Sequence, residues 1–137
     1  MREVGGGDGN RETDIDFTNT GASTCVLSGT PGVSVVGDEN GTQLGKPAGR
    51  TGGNEGPVRI KPGGMAVAQL ERIYIDAKTT TFTKAGGGTV PCKVQQGNGY
   101  RIYPPHSFKA VFVKRANTYA CTTSTVWMHI SSIRAPQ

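Results

Sequence analysis

Residues 16–33 read Asp16-Phe17-Thr18-Asn19-Thr20-Gly21-Ala22-Ser23-Thr24-Cys25-Val26-Leu27-Ser28-Gly29-Thr30-Pro31-Gly32-Val33, strand-forming residues set between turn residues around one thiol. Upstream, Ile15 and Phe17 alternate with Asp14, Asp16 and Thr18. That period of two is the mark of a half-buried strand. Downstream, Val33, Val35 and Val36 run into Asp38-Glu39-Asn40-Gly41. Asn-Gly is a strong hairpin signal because both residues accept positive φ, so Thr42 to Leu44 is expected as the returning strand.

The rest of the chain has the same character. The Gly-rich run from Gly45 to Gly56 reads as an exposed loop. Val58 and Ile60 alternate with Arg59 and Lys61, Pro62-Gly63-Gly64 turns the chain, and Met65 to Tyr74 is a long strand with Val67 and Leu70 inward. Thr79 to Thr83 reads as an edge strand and Lys84 to Thr89 as a loop. Tyr100, Ile102 and Tyr103 lead to the strand-stopping Pro104-Pro105. Phe108 to Lys114 returns with Phe108, Ala110, Phe112 and Lys114 on one face, and Val126 to Ile133 closes the domain. No helical period stands out. Short strands with turn signals at this spacing predict an all-β, antiparallel immunoglobulin-like β-sandwich of seven to nine strands over residues 12–137, behind a disordered lead-in over 1–11.

These residues also carry a resemblance. The N-T-G turn at Asn19-Thr20-Gly21, followed by Cys25-Val26-Leu27-Ser28-Gly29-Thr30-Pro31-Gly32-Val33, resembles the signature of a family of actinobacterial secreted proteins and lipoproteins described only as a domain of unknown function. Ile60-Lys61-Pro62-Gly63-Gly64 and Tyr100-Arg101-Ile102-Tyr103-Pro104-Pro105 are similar to two later segments of that family, in the same order. The resemblance spans about Ile15 to Ile133. It implies an extracytoplasmic location, with any signal peptide or lipid anchor upstream of Met1, and brings no activity with it. Members commonly carry a further Cys before the N-T-G strand; here the residues before Ile15 contain none.

Three cysteines allow three single bridges. In an oxidising compartment one of them is expected to form. Cys92 and Cys121 each precede a strand of the C-terminal meander, and the first and third strands of a meander start at one edge. Cys92–Cys121 is therefore the expected bridge, leaving Cys25 without a partner.

Composition bounds the function. The 137 residues fit one domain, and no run approaches the roughly 18 apolar residues of a membrane-spanning helix. The net charge of +5 is uneven: seven acids face two bases up to Gly45 (−5), and thirteen bases face three acids from Lys46 onward (+10). Such a basic half can attract anionic polymers. Its bases are spread along the chain, without an aromatic-interleaved nucleic-acid motif, which argues against a nucleic-acid partner.

Catalytic chemistry is scarce. A Cys nucleophile needs a His and a group to orient it. The only histidines are His106, beside a proline turn, and His129, between Met128 and Ile130. No G-x-S-x-G or H-E-x-x-H is present. Asp8, Asn10 and Glu12 have the opening spacing of a calcium loop, but Thr13 and Asn19 stand where that loop needs Gly and Glu. The Gly-rich Lys84–Thr89 run lacks phosphate-loop order, and Trp127 reads as a core anchor. No catalytic residue, metal site or cofactor is therefore expected. The candidate surface-binding residues are Tyr100, Arg101, Tyr103, His106 and Tyr119, since Tyr beside Arg or Lys is common recognition chemistry. The expected role is a non-catalytic binding or structural module meeting an envelope protein or polymer. The alternatives are a binder of anionic polymer or glycan and an enzyme using a Cys or His.

Overall fold

The computed structural model describes residues 1–7, 9–51, 56–84 and 86–136. Asp8 of the calcium-like spacing, residues 52–55 of the Gly45–Gly56 run and Ala85 of the Lys84–Thr89 run lie outside them. The described residues form thirteen strands and no helix. One sheet joins β1 (Arg2–Gly5), β2 (Asn10–Thr18), β8 (Met65–Ile73), β13 (Met128–Ser131) and β6 (Gly49–Thr51) in that order. The other joins β12 (Val111–Cys121), β11 (Val94–Tyr103), β4 (Gly32–Gly37) and β5 (Thr42–Leu44). Two ribbons complete the fold: β3 (Cys25–Leu27) with β7 (Val58–Ile60), and β9 (Thr81–Thr83) with β10 (Thr89–Pro91). The count exceeds the expected seven to nine because several of these strands are three-residue pieces, below the length at which period-two alternation can be read.

The core lies between the two sheets. Thr13, Ile15 and Phe17 of β2 face inward opposite Leu70, Ala68 and Ala66 of β8, so large side chains on one strand meet mostly small ones on the next. Met128 and Ile130 extend this layer, while Val33, Val35, Leu44, Tyr100 and Ile102 face it from the second sheet. Trp127 is part of the core, as its sequence context suggests.

Four expectations need correction. Residues 1–11 are not a disordered lead-in: β1 pairs with β2, and Arg2 holds Asp16 through two hydrogen bonds of 2.8 and 2.9 Å. Charge pairing supplies there what hydrophobic alternation does not. The Gly45–Gly56 run contains β6, which pairs in parallel with β13. Val67 does not share a face with Leu70; it stands opposite Asp16 on the outer side of β8, and its backbone exchanges hydrogen bonds with Arg134. In the β4–β5 turn, positive φ falls on Asp38, Glu39 and Gly41 and not on Asn40. The Asn40 side chain instead accepts hydrogen bonds from the backbone and hydroxyl of Thr42, and Asn98 accepts one from the Glu39 N–H.

The three motif segments interlock. The Asn19 amide donates to the carbonyls of Ser23 and Ile60, both at 2.8 Å, while its backbone exchanges hydrogen bonds with Gly63 and Gly64. The Gly29 carbonyl accepts from the Ile133 N–H, and Gly29 lies against Pro105 and His106. These motifs are turn scaffolding at one end of the sandwich.

Cys92 and Cys121 form a disulfide, with Cα atoms 4.9 Å apart. The pairing is the expected one, but its geometry differs. Cys121 ends β12, opposite Val94 at the start of β11, so the bridge closes the open end of one antiparallel pair. At a separation of 29 residues, constraint of the unfolded chain is worth about 3 to 4 kcal/mol. Replacing both cysteines with alanine should lower the urea-unfolding free energy by that amount. A loss under about 1 kcal/mol would contradict a structural role for the bridge. Gly45 has φ +74°, and a Cβ there would collide with the Cys121 carbonyl beside the Trp127 indole. Gly45→Ala should therefore cost about 1 kcal/mol or more in the same assay, and a neutral result would contradict this close approach.

Candidate functional site

The register of β11 sorts the five sequence-predicted residues into three places. Along β11, Tyr100 and Ile102 point into the core while Arg101 and Tyr103 point outward. Tyr100 is only 4% exposed, so it is not a surface residue. Its phenol is pushed above the ordinary tyrosine range chiefly by burial, against the opposing influence of Arg72 and Arg115. His106 occupies the turn after β11 with φ 60° and rests on Gly29. Tyr119 is half-buried on the far part of β12.

Arg101 and Tyr103 share the outer face of the four-stranded sheet. The Arg101 guanidinium lies 5.9 Å from the Tyr103 ring centroid and donates to the Gly41 carbonyl at 3.1 Å and to Gln43 Oε1 at 3.0 Å. Gln43 Oε1 also accepts from the Ser34 hydroxyl. Phe112 stands directly opposite Arg101 on β12, with 53% of its surface exposed. Arg101, Gly41 and Phe112 line a groove of about 510 Å³ with Val36, Glu39, Ala110 and Lys114. Phe108, just before β12, is also exposed, β12 is the last strand of its sheet, and the exposed Val111 lies on the other side of that sheet. Sequence reasoning placed Phe112 and Lys114 on one face of a strand but did not connect them to Arg101. That connection needs the β11–β12 register.

The groups able to do chemistry are dispersed. Cys25 is an exposed free thiol in the β3–β7 ribbon, bordering a mainly apolar groove of about 380 Å³ with Met1, Phe17 and Val111. His129 lies on the outer face of β13, between Glu71 and Gly49. Among the described residues no group of three or more His, Cys, Asp or Glu is placed to hold a metal ion.

A separate polar cleft of about 180 Å³ lies between the sheets, lined by Arg72, Tyr100, Arg115, Thr118 and Tyr119, with Glu3 of β1 reaching into it. Arg72 and Glu3 form an ion pair there. None of Glu3, Arg72 and Arg115 stood out in the sequence, where each is one of many dispersed charges.

Strand β1, which carries Glu3, is itself held by Arg2. Hydrogen bonding from Arg2 is the main cause that draws the Asp16 carboxyl below its ordinary range. A lowered folded-state pKa contributes stability that is complete above the unfolded value, about 3.9, and is lost as pH falls through the folded value. Acidification below about pH 4 should therefore loosen β1. Asp16→Asn should produce the same loosening at neutral pH, read as faster amide exchange over Arg2–Gly5 after correction for intrinsic rates. Unchanged protection in that variant would contradict this anchoring.

No match was found among curated proteins or among solved structures. The profile of one family matches residues 1–133. The chain belongs to that family, which is described as Domain of unknown function (DUF4232).

Proposed function

We propose that this domain is an extracytoplasmic, non-catalytic binding module of the cell envelope that docks a protein partner on the outer face of β12, β11, β4 and β5. The observation that carries this reading is the exposed Phe112 set against Arg101 and Tyr103 over a groove on an edge strand, with the exposed Phe108 just before that strand. Aromatic and Arg side chains clustered on an apolar patch are the usual anchors of protein interfaces. Lys114 and Arg101 outnumber Glu39 at the groove, so the partner's facing surface is acidic. The Cys92–Cys121 bridge supports an oxidising compartment, and the sequence resemblance supports secretion or a lipid anchor in an actinobacterial envelope.

The basic half gives a second reading. Lys109, Lys114 and Arg115 follow one another along β12 and its approach, which suits an anionic polymer or glycan. An enzyme using Cys25, His106 or His129 has less support, because these groups sit on the β3–β7 ribbon, the turn after β11 and the outer face of β13.

Retention of envelope proteins on the immobilised domain separates the readings. Phe112→Glu should lower retention about tenfold or more while leaving the circular dichroism spectrum intact, and Lys61→Glu on the distant turn should leave it unchanged. Equal retention by wild type and Phe112→Glu would contradict the proposed face. Binding to heparin that collapses with added salt and ignores Phe112→Glu would favour the polymer reading. Alanine at Cys25, His106 or His129 abolishing turnover of an envelope substrate, with the fold intact, would favour the enzyme.

A further inference from the structure

The polar cleft holds charge where the strand pattern calls for core residues. Arg72 continues the inward row of Ala66, Ala68 and Leu70 on β8, and Arg115 continues the row of Val111 and Val113 on β12. A bulge aims Arg115. Gly97 pairs with Thr118 and Gly99 with Lys114, so Arg115, Ala116 and Asn117 stand opposite Asn98 alone, with Asn117 at φ 56°. The hydroxyl of Thr118 donates to the Arg115 carbonyl and ties the bulge together. Two guanidinium groups and the phenol of the buried Tyr100 thereby line one cavity.

The structure also shows what such a cavity takes. The Glu3 carboxylate sits on Arg72 and accepts a 3.4 Å hydrogen bond from the Thr13 hydroxyl. The Arg115 guanidinium donates to the backbone carbonyl of Met1 at 3.1 Å, the only hydrogen bond of that side chain among the described residues. Arg72 Nε is buried without a partner among the described residues. Glu3 thus pairs with Arg72, and among the described residues no carboxylate pairs with Arg115. The strand that supplies Glu3 is open to solvent: all four residues of β1 are exposed, and Gly6 and Gly7 follow. The ion pairs that anchor it are exposed enough for a competing strand to replace them.

We propose that this cleft is a carboxylate-binding site, filled in cis by Glu3, and that β1 is a displaceable strap whose departure admits an acidic side chain from an extended partner peptide. The ligand would lie along β2 as β1 does and place its carboxylate between Arg72 and Arg115, beside the Tyr100 hydroxyl. Edge-strand addition supplies the backbone hydrogen bonds and the arginines select the acid. The site shares no lining residue with the groove over Phe112, so it stands or falls independently of that surface.

The test uses the full chain and, as probe, the acetylated and amidated peptide Arg-Glu-Val-Gly, which copies β1. Removing the internal carboxylate by Glu3→Ala should tighten peptide binding about tenfold or more over wild type by calorimetry. A probe with Gln in place of Glu should lose that gain, as should Arg115→Met in the Glu3→Ala background. Arg72→Met should act likewise where circular dichroism shows it folded, and Arg115, nearer the rim, carries the test where it is not. Equal binding by wild type and Glu3→Ala would overturn the proposal. So would a Gln probe that binds as well as the Glu probe, or an Arg115→Met variant that binds the Glu probe undiminished.

Discussion

The β11–β12 ladder, broken once at Asn98, is the constraint on which the functional surfaces depend. Before the break in β12, pairing puts Phe112 beside Arg101 on the outer face and leaves Val111 and Val113 facing inward. After it, the ladder resumes at Thr118 and runs to Cys121, where the bridge to Cys92 fixes its end. The three residues left over turn a cation toward the interior. Gly99 makes the break possible, since any Cβ there would collide with the Val113 carbonyl. On its other side β11 pairs with β4 from Gly99 to Tyr103, and at the break the surplus residues lie on β12.

The residues of the three turn motifs do a different job. Asn19, Gly29, Gly63, Gly64 and Pro105 link the exits of β2, β7 and β11 through backbone hydrogen bonds and close packing. Turn chemistry of this kind fixes where chains reverse and places no reactive group. Residues of this kind specify an architecture and not a ligand. The groove over Phe112 and the arginine cleft are built from residues outside those interlocking turns, which leaves room for members of one fold to meet different ligands.

The sequence reads well where hydrophobic alternation is long enough to be seen. Strand β2, strand β4, the long β8 and the place of Trp127 follow from it. Strands β1 and β6 do not, because their residues carry no apolar period and owe their pairing to Arg2–Asp16 contacts and to β13. Tyr100 shows a different gap. Its own alternation with Arg101, Ile102 and Tyr103 already puts it on the Ile102 side, a signal outweighed by the chemistry of Tyr next to Arg. The pairing of Arg101 with Phe112, and of Arg72 with Arg115, is written in register and bulge, which single-strand periodicity does not encode.

The break in the ladder can be observed directly. Cross-strand nuclear Overhauser contacts in the labelled domain should connect Arg101 with Phe112 and Tyr100 with Val113 on one side, and Gly97 with Thr118 and Gln95 with Ala120 on the other. Arg115 should show contacts to Met1. A ladder running in one unbroken register, pairing Asn98 with Arg115 and Gly97 with Ala116, would remove the bulge and contradict the account of the arginine cleft.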